Sequence, residues 1–517
     1  MKNKRRMVVL LLVSALCLGL LGCQPAAPDS SSLPMSAGDS STDATGAASS
    51  TLTSSDGSGS SSVTNPSDGE DPISNPNSTS SQTSTSSGSK VNTQALKDKL
   101  DFGGETIKIV YTYDMSERGT SAAADKFWDK VDRISKDFNV DLQVGLGSTA
   151  YEQMMITTIL AGQPFGHICL TRNQISWLKA GIMAPLDEAM KKTGIDFSEE
   201  HYSQFMSRYY NYNGHQYGFS TGGQINNGWF YNKRIFSQMR LEDPQELYAA
   251  GKWTWSKVTE LAKKATIREA DGSISQYGLG FWHVGNSVIG MAMNNGCAVA
   301  GFNAEGKPTV NMKDPRVLEA LEQVYQWGFV DKVATSWKSG SWDSLIVEFR
   351  DGKIALMSST AATPGVLYTM SDDWGFVPPP LGPSGKQHVA SVDMGESFFI
   401  PKTYTDMADK LLLLMDEYVK PEKGQSKDDA FRSSWVTRFR DKTSYNLFKS
   451  MYYDLPIVYD VTADWNLTWG GSTAFAARVD QIFNGTTTPG TMVETYADVA
   501  QTEVNDLFAG LEWTGNK

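Results

Sequence analysis

The chain has 517 residues, 40% of them hydrophobic and 11% aromatic, and its 46 Lys and Arg against 58 Asp and Glu give a formal net charge of −12. So acidic a chain lacks the basic patches that a phosphate backbone requires, which argues against a nucleic-acid partner. The five histidines show no His-x-His or His-Glu-x-x-His spacing, and there is no P-loop or dinucleotide fingerprint. Neither a zinc site nor any cofactor is therefore expected.

The N-terminus opens with Lys2, Lys4, Arg5 and Arg6, followed by an apolar run from Met7 to Leu21. That run is shorter than the roughly 20 residues of a membrane-spanning helix and reads as an export signal. It ends in Leu20-Leu21-Gly22-Cys23, which resembles the lipobox of bacterial lipoproteins. The resemblance implies that residues 1–22 are removed and that Cys23 is acylated, which anchors the protein on the outer face of the cell membrane. The alternative is an ordinary secretory signal with an incidental cysteine. From Gln24 to Thr93 nearly half the residues are Ser or Thr and none is aromatic. Such a stretch buries too little apolar surface to offset its chain entropy, so 23–100 reads as the lipidated Cys followed by a disordered linker. As a flexible coil it would span about 45–50 Å, a tether that lifts a folded body off the membrane.

Every aromatic residue falls between Phe102 and Trp513, a stretch too long for one core and suited to two or more domains. Thr106 to Tyr111 alternates and is rich in β-branched residues, predicting a strand. An amphipathic helix follows through Phe127, Val131, Ile134 and Phe138. Val140–Val144 predicts a strand, Tyr151–Ala161 a helix and His167–Leu170 a strand. This rhythm is that of a parallel sheet covered on both faces, with ligands outside the carboxyl ends of its strands. Farther on, helices are predicted over Trp255–Thr266, capped by Thr254, and Pro315–Trp327, capped by Asp314. Two more are predicted over Asp406–Val419 and Glu494–Leu511, and Asp271-Gly272 predicts a hairpin turn. Once Cys17 and Cys23 are set aside, Cys169 and Cys297 either pair or sit as two buried thiols.

Five stretches in order carry a family resemblance. Leu160-Ala161-Gly162-Gln163-Pro164 leads to Leu178–Asp187, and Tyr217-Gly218-Phe219-Ser220 is followed by Trp229–Phe236. Trp253-Thr254-Trp255 opens the helix with Leu261-Ala262-Lys263-Lys264. Phe349-Arg350-Asp351-Gly352-Lys353 runs to Met357, and Trp374–Pro380 leads to Phe398-Phe399-Ile400-Pro401. Together they resemble the maltose-binding-protein-like solute-binding proteins of ABC importers. One departure is Phe165-Gly166-His167-Ile168, where that family commonly has Pro-Asp-Ile; a polar contact is then expected to move into Arg172-Asn173-Gln174.

The resemblance implies an α/β, two-lobed, periplasmic-binding-protein-like fold with a hinge of two or three crossing segments and an interlobe cleft. Lobe 1 is expected over 101–222 and about 390–450, lobe 2 over 223–389 and about 451–517. It also implies a monomer that delivers a small molecule to an ABC transporter permease. Sugars present apolar C–H faces and hydroxyl edges, so a sugar cleft needs flat rings plus carboxylates and amides. The ligand candidates on loops are Trp229, Trp282, Trp342, Trp465 and Trp469, with Asp114, Asn173, Asn286, Asp393 and Glu396 as polar partners, and Gln224 and Asn227 beside them. The bland alternative for each Trp is core packing, and for each polar group a solvated turn. Rival functions are a peptide or other metabolite as ligand, a surface glycosidase working through Glu396 or Asp393, and a stalked adhesin.

Overall fold

The computed structural model describes residues 91–515 apart from 148–150, 172–173, 223, 226, 338–342, 394–396, 423 and 464–473. The expected signal, Cys23 and the tether up to residue 90 lie outside the described residues. Among the described residues, no helix is long and apolar enough to cross a membrane.

The first lobe begins with α1 (Thr93–Lys97) and then alternates β1 (Thr106–Tyr111), α2 (Ala122–Asp137), β2 (Asp141–Leu146), α3 (Tyr151–Leu160) and β3 (Ile168–Thr171), with β4 (Gly218–Phe219) after a longer excursion. β1 pairs parallel with β2 and with β3, as the strand–helix rhythm predicts. α2 starts where Ser121 supplies a cap, its Oγ accepting the Ala124 N–H at 3.1 Å. The helix turns Val131 and Ile134 onto Ile107 and Ile109 of β1, burying all four.

The chain crosses through β5 (Gln224–Ile225) into the second lobe, built from β6 (Gly228–Asn232), α4 (Trp255–Ala265), β7 (Ile274–Phe281), α5 (Val284–Met293), the hairpin β8 (Ala300–Phe302) and β9 (Pro308–Val310), α6 (Pro315–Tyr325), β10 (Ala334–Ser336), α7 (Ser344–Arg350), β11 (Ile354–Ser359) and β12 (Trp374–Val377). Its sheet runs β10-β7-β11-β6-β12. Thr254 and Asp314 cap α4 and α6 as predicted, with Pro315 in the first turn of α6, and Gly272 takes φ +83° in the turn that leads into β7. β13 (Ala390–Asp393) crosses back to β14 (Ser397–Phe399), which completes the first sheet in the order β2-β1-β3-β14-β4. After α8 (Ala408–Val419) and α9 (Lys442–Tyr453) comes a third crossing, β15 (Ile457–Tyr459), followed by α10 (Phe475–Phe483) and α11 (Pro489–Leu507). The three crossings form one small sheet, β15-β13-β5, which is the hinge.

Packing shows which cores the two later helices α9 and α11 join. α9 belongs with the second lobe, because Phe448 and Met451 share a core with Trp374 and Phe376, and the Phe376 N–H donates to Ser444 Oγ at 3.0 Å. α11 is shared between the lobes. Met492, Val493, Tyr496, Ala497 and Ala500 lie in the second lobe's core, while Val504, with Phe508 and Trp513 after the helix, packs with Cys169, Trp177 and Phe399 of the first. At 19 residues and about 1.5 Å per residue the helix is long enough to reach both. Cys169 and Cys297 are both buried and both free thiols.

A buried ion cluster ties α1 to α8. Asp416 is fully buried and lies 2.7 Å from Lys97 Nζ and 2.9 Å from Lys420 Nζ, and accepts the Tyr202 hydroxyl at 2.5 Å. Burial alone would raise its pKa, but the hydrogen bond to His201 and the Lys97 ammonium outweigh that and hold the carboxyl well below the usual range. The segment through which the chain enters the first lobe is thus fastened to its core.

Candidate ligand cleft

Strand register decides where the two lobes present their ligand-binding edges. β14 runs antiparallel to β3 with Ser397 opposite Thr171, so the segment arriving from the hinge meets the first sheet at the carboxyl end of β3. β6 runs antiparallel to β11 with Gly228 opposite Ser359, so the hinge enters the second sheet at the carboxyl end of β11. The carboxyl edges of both parallel sets therefore lie on the hinge side and face a common cleft, the position where open α/β sheets bind ligands.

On the first lobe, β1 ends at Tyr111, whose hydroxyl lies 2.9 Å from that of Tyr418, and Tyr113 packs edge-on against it at 5.3 Å. Tyr113 and Asp114 are exposed on the loop that follows. On the second lobe, β7 ends at Phe281 and is followed by Trp282, which is half-buried and whose backbone N–H donates to Ser358 O at 3.0 Å. His283 caps α5, and burial lowers its imidazole to about 4, so the ring is neutral at pH 7. Ser287 and Ser358 hydroxyls meet at 3.0 Å, and Thr363 donates to Ser359 Oγ at 2.7 Å. This edge thus sets a half-buried indole over buried hydroxyls that bond one another.

The candidates fare differently. Asp114 and Trp282 stand at the two edges. Asn286 lies in the first turn of α5 and is 4% exposed. Trp229 is not a cleft residue: it is 1% exposed and packs edge-on against Trp253 and Phe281. The reason is that β6 lies between β11 and β12 and is covered on both faces, so Trp229 and Tyr231 enter one core and Phe230 another. The run Gly228-Trp229-Phe230-Tyr231-Asn232, with no polar alternation, is the sequence signal of such two-sided burial. Asp393 ends β13 opposite Gln224 of β5, which puts its backbone in the middle crossing. The side chains of Asp393 and Gln224, together with Asn173, Trp342, Glu396, Trp465 and Trp469, lie outside the described residues.

The hinge holds two polar fasteners. Asn227 Nδ2 donates to Ser391 Oγ at 2.5 Å, joining the first and second crossings, and is 3% exposed. A Cβ at Gly290 of α5 would lie 2.1 Å from that Nδ2, so only glycine lets the helix seat against the hinge. At the third crossing Asp460, fully buried, accepts the N–H groups of Val299 at 2.6 Å, Ala300 at 3.2 Å and Thr462 at 2.8 Å. Burial pushes its pKa up to about 6 despite these donors. The sequence signal for it was the Asp-x-Thr spacing of an Asx turn.

Gly218-Phe219-Ser220-Thr221-Gly222 has the spacing of a hydrolase nucleophile elbow. Ser220, however, is completely buried and donates to Gly222 O at 2.9 Å, so the motif builds the turn into the hinge rather than presenting a nucleophile. Among the described residues no cluster of His, Cys, Asp and Glu has the makings of a metal site.

The sequence profile of the bacterial extracellular solute-binding proteins matches residues 119–408. No curated protein sequence matches. Similar solved structures include the ABC substrate-binding protein Lmo0181 from Listeria monocytogenes in complex with cycloalternan, at 17% identity and TM-score 0.55, covering 78% of this chain and 98% of that one. UgpB from Mycobacterium tuberculosis in complex with glycerophosphocholine matches at 15% identity and TM-score 0.55, over 77% and 98% of the two chains. The maltose/maltodextrin-binding domain MalE from Bdellovibrio bacteriovorus bound to maltotriose matches at 15% identity and TM-score 0.52, over 78% and 100%. At these identities the likeness establishes the two-lobed fold.

Proposed function

The chain belongs to the bacterial extracellular solute-binding proteins, the binding components of ABC transporters, and from that premise we propose that it captures a mono- or oligosaccharide between its lobes for delivery to a permease. The family and its solved relatives are substrate-binding proteins, not enzymes. The carbohydrate reading is carried by Trp282, a half-buried indole at the carboxyl edge of the second sheet, facing the lobe that bears the exposed Asp114. A flat ring for the C–H face of a pyranose and a carboxylate for its hydroxyls are two of the groups such a ligand needs. Relatives of the same fold hold cycloalternan and maltotriose, which supports the reading. The relative that holds glycerophosphocholine supports a second one, a small polar metabolite that is not a sugar.

In this reading Asp114 contributes from the first lobe and Asn173, Asn286, Trp342, Asp393, Glu396, Trp465 and Trp469 complete the site. Each open lobe offers half of it, and ligand touching both halves biases the hinge toward closure by its differential affinity for the closed form. A micromolar Kd corresponds to about −8 kcal/mol, which stacking on one or two rings and several shared hydrogen bonds can supply net of the cost of closing. The protein acts as a monomer, held on the outer face of the membrane through acyl chains on Cys23 and carried on the Ser/Thr-rich tether.

The ligand claim is tested by calorimetric titration with a panel of mono- and oligosaccharides. Saturable heat with at least one is expected, and no heat with any of them, alongside binding of a non-sugar metabolite, would decide for the second reading. The anchor is tested by Cys23→Ser, which should release the protein from the membrane fraction into the medium. Retention on the membrane would refute acylation at that residue.

A further inference from the structure

Beside the cleft edge, on the outer strand of the second sheet, lies a pocket of about 200 Å³ lined by Tyr277, Thr335, Ser336, Trp337, Ser344, Leu345 and Glu348. Two rings, three aliphatic hydroxyls, a carboxylate and one leucine make a lining with more polar side chains than purely apolar ones. Thr335 and Ser336 are only 6% and 9% exposed, and the side-chain oxygens of Tyr277, Thr335, Ser336, Ser344 and Glu348 have no hydrogen-bond partner among the described residues. Hydroxyls and a carboxylate that line a cavity without bonding one another leave donors and acceptors for a polar occupant. The carboxylate disfavours an anion, and the abundance of hydroxyls disfavours an apolar group.

The pocket is also placed to share a ligand with the cleft. Ser336 is the register partner of Phe281, and the Trp337 N–H donates to Phe281 O at 3.2 Å. Trp337 and Trp282 thus leave the carboxyl ends of adjacent strands, about 4.8 Å apart in the sheet, and both pack against the same core.

We propose that this pocket is an accessory site that takes one neutral, hydroxyl-rich ring of an oligosaccharide whose neighbouring ring lies against Trp282. The proposal rests on the carbohydrate reading of the cleft. It makes the protein a reader of chain length: a glycan long enough to pass from Trp282 to the edge strand gains hydrogen bonds that a shorter one lacks.

The test is calorimetric titration of the full chain with a ladder of neutral oligosaccharides, repeated on Thr335→Val, Ser336→Ala and Glu348→Gln, with thermal midpoints confirming that each variant is folded. Thr335→Val keeps the side-chain shape, and Glu348 is exposed, so neither change threatens the core. Losing one neutral hydrogen bond, about 1 kcal/mol, lowers affinity roughly fivefold. That loss is expected for the longer glycans in at least two variants, with the affinity for the shortest bound sugar unchanged. If wild type binds glycans and the variants match it at every length, or lose affinity equally at every length, the pocket is a water site and the proposal falls while the cleft reading stands. If wild type binds no glycan at all, both fall together.

Discussion

Replacing Gly290 by alanine sets two effects of opposite sign against each other. In an exposed helix interior the change stabilises by about 0.8–1.0 kcal/mol, because glycine surrenders more backbone freedom. At Gly290 the new Cβ would meet Asn227 Nδ2 at 2.1 Å and Cγ at 2.3 Å, far inside contact distance. Asn227 has little room to retreat, being 3% exposed and bonded to Ser391 across the hinge. Overpacking of this kind costs about 1–3 kcal/mol, and displacing Asn227 forfeits a further ~1 kcal/mol of hydrogen bonding. The clash therefore wins, and Gly290→Ala should destabilise by about 1–3 kcal/mol. Shortening Asn227 to alanine removes the blocking atoms, so in that background Gly290→Ala should turn neutral or stabilising, with a coupling of about 2 kcal/mol. Urea unfolding of the four proteins in the cycle measures this. A stabilising Gly290→Ala, or strict additivity with Asn227→Ala, would refute the picture of α5 seated directly on the hinge.

Three other substitutions probe the core, the ion cluster and the cleft. Trp229→Ala should lower stability by about 3–5 kcal/mol in chemical unfolding while the folded protein keeps its ligand affinity; the reverse pattern would return Trp229 to the cleft. Asp416→Asn leaves Lys97 with Glu417, 3.1 Å away, as its remaining carboxylate and should cost about 1.5–3 kcal/mol at pH 7. The folded carboxyl of Asp416 is depressed, so its contribution is complete above the unfolded pKa of about 3.9 and is lost as pH falls below that. The gap between wild type and variant should accordingly be level from pH 7 to 5 and narrow by pH 3; a gap that ignores acid would contradict the charge argument. Trp282→Ala should weaken the best-bound glycan by roughly tenfold, read by calorimetry, and, because the indole is only half-buried, should lower stability less than Trp229→Ala does.

What the sequence made legible was local. The strand–helix–strand rhythm from Thr106 to Thr171 shows in periodicity, and α4 and α6 announce themselves through Thr254, Asp314 and Pro315. The closing helix begins earlier than its apolar pattern suggests, at Pro489, because Thr488 caps it by accepting the Thr491 N–H at 3.2 Å. Contacts between distant segments left no such trace. That α9 covers β12 rather than the first lobe, that α11 serves both cores, and that Gly290 must be small for Asn227 are facts about residues far apart in the chain. Trp229 misled because a tryptophan near a crossing reads equally well as a ligand platform or a core anchor, and the unbroken apolar run of β6 was the deciding feature. Trp282, by contrast, stands one residue past its strand and keeps part of its surface exposed.

The central claim is that β5, β13 and β15 form a hinge on which two lobes close over a ligand. Small-angle scattering of residues 91–517 with and without a saturating, calorimetrically verified ligand tests it most directly. The account predicts a smaller radius of gyration in the bound state, and a protein that binds its ligand while its radius of gyration stays unchanged would contradict it.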